Sequence, residues 1–233
     1  MKNQDYLYLD HAASTPMRKS AMDKYIEAES YGYANSSGGH KLSRNSKNLL
    51  EDSREKIAEL LNAAQGEIVF TSGGTEADNW TIKSLFNSER PNDNLVTSNI
   101  EHEAVIASAE WVSSNGFHTK YAKSDKNGLV TKDEFLGQVD NDTKVASLMW
   151  GNNETGIIQP INDIAREIKT INSSTLFHSD VVQGIISDNI DFHRNGIESA
   201  AISAHKIGGP KGVGAMFIPV SYTHLTLPTT CSV

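Results

Sequence analysis

Short apolar runs alternate along most of this chain with longer segments in which apolar residues recur every three or four positions. The short runs are typical of strands, and the longer segments are typical of amphipathic helices. Because neighbouring parallel strands need a crossover connection, usually a helix, this alternation restricts the chain to the α/β class. We therefore predict a mostly parallel sheet flanked by helices.

The individual elements can be located from the same patterns. Strands are predicted at 67–70, 94–100, 144–150, 174–178, 198–203 and 213–218. Helices are predicted at 48–63, 75–88, 103–116 and 161–171. The segment YLYLD at 6–10 alternates like a short strand and leads into the loop HAASTP.

Composition narrows the possible partners. Across 233 residues, 21 basic and 29 acidic side chains give a net charge of -8, which supplies no positive field for nucleic acid or anionic lipid. The sequence shows no apolar signal core and no run near the roughly 18 apolar residues of a membrane span, so a cytoplasmic location is expected. Cys231 is the single cysteine, which excludes an internal disulfide and a cysteine-rich metal cluster.

The last residues of the chain differ from the rest in amino-acid composition. Residues 220–233, VSYTHLTLPTTCSV, contain no Asp, Glu, Lys or Arg and are crowded with threonine, serine and proline. We predict one domain at 1–219 and a foreign, artefactual tail at 220–233. An ordinary polar tail is the alternative.

In parallel sheets ligands bind beyond the carboxyl ends of the strands, so the residues that follow each apolar run are the candidate site residues. After the strand at 67–70 comes TSGGTE, in which Gly73 and Gly74 allow close backbone approach and Thr75 opens a helix that could hold a phosphate. A simple turn with a helix cap fits this segment equally well. The segment matches neither a Walker loop nor a dinucleotide fingerprint, which weakens a nucleotide-binding interpretation.

Polar groups also follow later strands. His178 and Asp180 lie two apart on one strand face and could share a metal, although no third ligand is evident nearby. Asp180 could instead hold a cationic ring nitrogen or simply cap a helix. His102 could stack on a planar ligand or lie exposed near a helix start, and Asn153 fits either a turn or a site wall.

Lys206 directly follows an apolar strand, where its side chain would project into the cleft. A partly desolvated lysine has a lowered pKa and can act as a nucleophile or a base. Ser203 and His205 beside it could donate hydrogen bonds to a phosphate. A phosphate cradle, a ring stacker, a carboxylate and an amine together match the requirements of pyridoxal 5'-phosphate (PLP).

Seven segments resemble the motifs of the class V, fold-type I PLP enzymes, specifically the cysteine desulfurases of the NifS and IscS type. They run in family order from Tyr8 to about Ile218: YLDHAASTP, NSSGGH, FTSGGTEADN, EHEAV, NNETGIIQP, FHSDVVQG and SAHKIGGPKGVGA. The resemblance implies the large PLP-binding domain, with a seven-stranded type of sheet. It also implies that the smaller C-terminal domain is missing.

The resemblance also implies roles for individual residues. Lys206 would bond covalently to the cofactor and move the substrate's Cα proton, while Asp180 would hold the ring nitrogen. His102 would stack on the ring and Gln183 would meet its phenolic oxygen. The remaining roles would be phosphate binding by Gly74, Thr75, Ser203 and His205, and contact with the cofactor and the substrate carboxylate by Asn153.

The reaction implied for the family converts L-cysteine to L-alanine and leaves sulfur on a protein cysteine as a persulfide. The family's enzymes are homodimers that pass sulfur to an acceptor protein, as in iron–sulfur cluster biogenesis. The nucleophilic cysteine and a substrate-binding arginine belong to a later segment, and Cys231 lacks its flanking pattern. We therefore expect this chain to be inactive in sulfur transfer by itself. The alternatives are a selenocysteine lyase, a class V aminotransferase or a noncatalytic fragment.

Overall fold

The computed structural model describes residues 7–86, 90–186 and 191–220. The α-helices in these ranges are α1 (Lys19–Tyr31), α2 (Lys41–Leu60), α3 (Gly74–Leu85), α4 (Glu103–Ser114), α5 (Lys132–Leu136), α6 (Ile161–Ile171) and α7 (Phe192–Asn195). The strands are β1 (Ile68–Thr71), β2 (Asn94–Ser98), β3 (His118–Ala122), β4 (Thr143–Ser147), β5 (Leu176–Asp180), β6 (Ser199–Ser203) and β7 (Gly214–Phe217). Short 3₁₀ helices cover Gln65–Glu67 and Ala204–Lys206.

The strands form one seven-stranded sheet in the order β1-β7-β6-β5-β4-β2-β3. Strand β7 runs antiparallel to both of its neighbours, and the other pairs are parallel. Six strands therefore end at the same edge of the sheet. The predicted α/β class with a mostly parallel, seven-stranded type of sheet is confirmed.

Helices cover both faces of the sheet because its central strands are apolar on both sides. In β2, Val96 packs into the cluster that contains Phe135 of α5 and Ile164 of α6. Its neighbour Leu95 points the other way, into the cluster that contains Ile82 of α3 and residues of α4. Because helices pack on both faces of the sheet, its carboxyl edge is the part that remains available for a site.

The six predicted strands are all present, with bounds shifted by one to three residues at most of their ends. Four helices or strands were not predicted: α1, β3 and the short helices α5 and α7. Strand β3 lies at the sheet edge, where its largely polar and partly exposed residues carry no strand pattern, and α1 has no buried residue at all. The prediction of a strand in YLYLD is wrong for residues 7–10, because Leu7 and Leu9 are exposed and pair with no neighbouring strand.

The helix predicted at 75–88 and the predicted tail fall partly outside the described residues. The helix predicted at 75–88 is seen as α3 to Leu85, and positions 87–88 are not described. Residues 221–233, including Cys231, are likewise outside, so the boundary at 219 stays a prediction. Among the helices described, none has the length and apolarity to cross a membrane.

Candidate functional site

A small, open cleft lies at the edge of the sheet where β1, β5 and β6 end. The nine residues predicted from the sequence all line it: Gly74, Thr75, His102, Asn153, Asp180, Gln183, Ser203, His205 and Lys206. Asp78, Met149 and Val182 complete the lining.

One end of the cleft is formed by the N-terminus of α3, which begins at Gly74. The side chain of Glu76 accepts hydrogen bonds from the Ser72 backbone nitrogen at 2.6 Å and from its hydroxyl at 2.7 Å, which fixes the preceding turn. The first amide groups of a helix lack intrahelical acceptors and attract anions. With the buried Ser203 nearby, this end of the cleft can hold a phosphate group.

Lys206 ends the short helix Ala204–Lys206 that directly follows β6. Its side chain is half-buried, and Nζ donates hydrogen bonds to the carbonyl oxygens of Ala12 and, at 3.0 Å, Ala13. Burial lowers the pKa of the Lys206 ammonium, while the negative charges of Asp180 and Asp10 act in the opposite direction. Lys206 is therefore a partly desolvated amine at the cleft, as predicted for a nucleophile.

The loop HAASTP closes one side of the cleft, a role that the sequence did not reveal. Thr15 donates its hydroxyl to the backbone carbonyl of His205 at 2.7 Å, and the Gln183 amide donates to the Ala12 carbonyl at 2.8 Å. The ring nitrogen Nδ1 of His205 lies 3.2 Å from the Ser14 hydroxyl. These contacts hold His205 and Gln183 in place at the cleft.

Asp180 is the last residue of β5 and is only 5% exposed. Its Oδ1 accepts a hydrogen bond from the Val182 backbone nitrogen at 2.9 Å. Burial raises the pKa of the Asp180 carboxyl to about 7, and the neighbouring Asp78 adds to that shift. A cation in the cleft would therefore be strongly favoured beside Asp180, because it would stabilise the ionised carboxylate.

His102 is the exposed N-cap residue of α4, where its Nδ1 accepts a hydrogen bond from the Ala104 backbone nitrogen at 3.1 Å. This contact fixes the imidazole ring at the wall of the cleft. Asn153 and Gln183, both half-buried, line other parts of it. The structure thus brings the predicted ring stacker to the same cleft as the predicted amine and carboxylate.

His178 does not share a metal site with Asp180. Its imidazole is fully buried, with Nε2 at 3.0 Å from Asp78 and Nδ1 at 3.2 Å from the Ser199 hydroxyl, so both nitrogens have protein partners. In the described ranges, ligand atoms of Asp78, His102 and Asp180 lie within 4.8 Å of one another. All three border the cleft assigned above, and such acidic groups are common without an ion.

Asp78 is the main cleft residue that sequence reasoning missed. It lies in α3, three positions after Thr75, and is 1% exposed. Residues at that spacing share a helix face. The spacing of Thr75 and Asp78 in TSGGTEAD was therefore a signal that could have identified the aspartate.

Known proteins resemble this chain over nearly its whole length. Residues 7–230 match the sequence model of the family described as aminotransferase class-V. The cysteine desulfurase IscS of Methanosarcina thermophila is 38% identical over 213 residues, which cover 91% of this chain and 52% of that relative. The putative cysteine desulfurase IscS 1 of Bacillus subtilis is 36% identical over 212 residues, with coverages of 91% and 55%.

Solved structures agree with these sequences. A NifS-like protein superposes with a TM-score of 0.88 at 36% identity, covering 91% of this chain and 58% of that chain. SspA in complex with cysteine superposes with a TM-score of 0.90 at 32% identity, with coverages of 96% and 64%. The chain spans about half the length of the curated relatives it matches. Class-V aminotransferases and cysteine desulfurases are PLP-dependent enzymes, and this chain belongs to the aminotransferase class-V family.

Proposed function

We propose that this chain is the PLP-binding part of a cysteine desulfurase. The observation that carries the proposal is the pairing of half-buried Lys206 with buried Asp180 across one cleft beside the N-terminus of α3. An amine, an acid and an anion-binding helix end match the aldehyde, the ring nitrogen and the phosphate of this cofactor.

The donor set of the cleft fits PLP in a further respect. The pKa of Asp180 is raised to about 7 because its carboxyl is buried and lies near Asp78. A protonated pyridine nitrogen would supply a cation and would return the carboxyl to its charged form. At the other end, an ideal Cβ on Gly74 would lie 2.7 Å from Cγ2 of Val182, so only glycine leaves room there without displacing a neighbour.

When bound, PLP supplies an electron sink for bonds at the substrate's Cα. The residues of the chain supply the rest. Lys206, with its lowered pKa, would serve as the covalent attachment point and as the base that moves the Cα proton. His102 would stack on the ring, Gln183 would meet the phenolic oxygen, and Asn153 would contact the cofactor and the substrate carboxylate. The phosphate would be held by Gly74, Thr75, Ser203 and His205.

The substrate proposal rests on the relatives. The similar IscS proteins are cysteine desulfurases, and one similar structure contains cysteine. We extend this to L-cysteine as substrate, L-alanine as product and an acceptor protein for the sulfur, with a cytoplasmic homodimer as the working form. Cys231 is not assigned to sulfur transfer, so we expect the chain to bind PLP covalently without completing that transfer.

The test is spectroscopic. The purified chain is mixed with PLP, its visible absorbance is recorded, and the lysine–cofactor bond is fixed with borohydride before peptide mapping. We expect the adduct on Lys206. Adducts scattered over surface lysines, or none, would overturn the assignment. Cysteine is then added: absence of a persulfide is expected, and catalytic sulfide release by this chain would contradict the sulfur-transfer prediction.

A second candidate, a noncatalytic fragment that does not assemble the site, is favoured by one observation. Helix α1 buries no residue, and its Tyr25 and Ile26 are 54% and 61% exposed. Thermal melting distinguishes the candidates, because a ligand of the native state raises the midpoint. No shift with excess PLP would favour the fragment. A selenocysteine lyase or an aminotransferase would bind PLP equally and would be recognised by turnover of selenocysteine or of an amino donor.

A further inference from the structure

A buried chain of hydrogen bonds runs from the floor of the cleft into the core. Asp78 Oδ1 lies 3.0 Å from His178 Nε2, and His178 Nδ1 lies 3.2 Å from the Ser199 hydroxyl. The Ser199 hydroxyl is 2.7 Å from that of Thr81, which in turn lies 3.3 Å from the sulfur of Met216. All five side chains belong to residues that are at most 1% exposed, so bulk solvent does not reach them.

The last member gives the chain a direction. The thioether of Met216 can only accept, so Thr81 donates its single hydroxyl proton to the sulfur. The Thr81 oxygen then accepts from Ser199, whose own proton is thereby used. Either hydroxyl of the Thr81–Ser199 pair can donate by geometry alone, and the donation of Thr81 to sulfur favours Ser199 as the donor of that pair. In this direction His178 donates from Nδ1 to Ser199, which leaves Nε2 as the acceptor of a neutral imidazole. An acceptor at Nε2 requires a donor on Asp78.

Repulsion between carboxyl groups leads to the same assignment. Asp78 and Asp180 have ligand atoms within 4.8 Å of each other, and both are buried. Two carboxyls at that separation do not both ionise readily. Asp180 is placed to accept, because its Oδ1 receives the Val182 backbone N–H, whereas Asp78 faces a ring nitrogen that must accept.

We propose that Asp78 holds a proton that it donates to His178, and that it thereby positions Asp180 as the ionised carboxylate of the pair. Asp78 is thus a positioning residue rather than a catalytic one. The role of the Asp78–Asp180 pair toward a cofactor ring nitrogen rests on the proposed function, but the assignment of the proton to Asp78 does not.

Other titratable groups surround the pair and do not reverse this assignment. Glu101 is buried, and its Oε1 accepts hydrogen bonds from the Ser98 hydroxyl at 2.6 Å and the Met149 backbone nitrogen at 3.0 Å. Burial raises the pKa of Glu101 and of Asp78 to about 8 and lowers that of His178 to about 4. Lys206 faces Asp180 as a cationic neighbour, and the attraction between the two favours the charged carboxylate of Asp180.

The test reads the His178 tautomer directly by nitrogen-15 NMR of the cofactor-free chain, with the signal assigned through His178→Gln. We expect a neutral ring protonated at Nδ1 at pH 7. A ring protonated only at Nε2, or at both nitrogens, would overturn the proposal. Because no PLP is present, this outcome is independent of whether the chain binds the cofactor.

Two substitutions of Asp78 distinguish a role of its proton in hydrogen bonding from a role in packing alone. Asp78→Asn keeps a donor for Nε2 and should retain the Nδ1–H tautomer. Asp78→Leu removes that donor, so the His178 ring should no longer be held in this tautomer. Glu167→Gln is the control, an acid changed to an amide in α6, where it pairs with Lys132 at 2.7 Å, and it should leave the tautomer unaltered. Loss of the tautomer in Asp78→Asn with retention in Asp78→Leu would contradict the assignment. If Asp78→Leu fails to fold, the wild-type spectrum still decides.

Discussion

Replacing Gly74 by alanine would place a methyl group in contact with Val182. The ideal Cβ would lie 2.7 Å from Cγ2 of Val182 and 3.8 Å from Cβ of Ser203. The first distance is far below an optimal carbon–carbon separation of about 3.5–4.0 Å. Val182 or the start of α3 must therefore move to accept the variant.

The loss of folding stability can be estimated from that contact. Overpacking of this kind costs about 1–3 kcal/mol. For a chain of this size, a loss of 1 kcal/mol lowers Tm by roughly 2–4 °C. We therefore expect Gly74→Ala to melt about 2–12 °C below the wild type.

Cofactor binding should weaken as well, because Val182 also donates its backbone N–H to Asp180 at 2.9 Å. A hydrogen bond to a charged group contributes roughly 1.5–3 kcal/mol, so losing half of the lower value would raise the Kd for PLP by about threefold. Displacing the N-terminus of α3 would add to this loss at the phosphate end.

The assay is thermal melting together with PLP titration, and Gly39→Ala is the control. Gly39 is exposed, and a Cβ added there would meet no atom within 4 Å. The control should melt within about 2 °C of the wild type, because surface substitutions usually change stability by less than 0.5 kcal/mol. If Gly74→Ala matched the control in both Tm and Kd, the close contact with Val182 and its link to Asp180 would be refuted.

Three further predictions concern the amine, the core and pH. Lys206→Arg keeps the positive charge but removes the primary amine, so borohydride should fix no PLP at position 206; an unchanged adduct yield by mass spectrometry would place the attachment elsewhere. Phe135→Ala should lower the free energy of unfolding by about 3–5 kcal/mol in urea, because this ring is fully buried; a loss below 1 kcal/mol would contradict that packing. The pKa values of Asp78 and Glu101 are raised by burial from 3.8 and 4.5 to about 8, so the folded chain holds protons that the unfolded chain releases; the stability they contribute is complete below pH 4 and is lost as pH rises to about 8. The slope is at most about 1.4 kcal/mol per pH unit for each carboxyl, and melts of Glu101→Gln should show the flatter dependence; equal slopes would count against a protonated Glu101.

The elements that the sequence predicted are those with a strong pattern of their own. The central strands β2 and β5 are buried along their whole length and each contains a short apolar run, and α6 has apolar residues on one clear face. Strand β3 escaped prediction because an edge strand with exposed side chains needs no such run. The segment YLYLD shows the reverse: it has a strand pattern, but no neighbouring strand pairs with residues 7–10.

The site was predictable to the extent that its residues follow strand ends. Asp180 ends β5 and Lys206 lies three residues after the end of β6, and parallel strands bring such positions to one edge. The resemblance to a known family then supplied their roles. Asp78 and the loop carrying Ala12 were missed, because neither stands at the end of a strand.

The sequence alone determined the α/β class, the order of the central strands and helices along the chain, and the residue types that meet the needs of PLP. Only the tertiary structure decided which side chains touch. Lys206 contacts the carbonyl of Ala12 across 194 positions, and His178 contacts Asp78 across 100. Contacts of this kind depend on how helices and loops pack on the sheet, and no local pattern of residues encodes that packing.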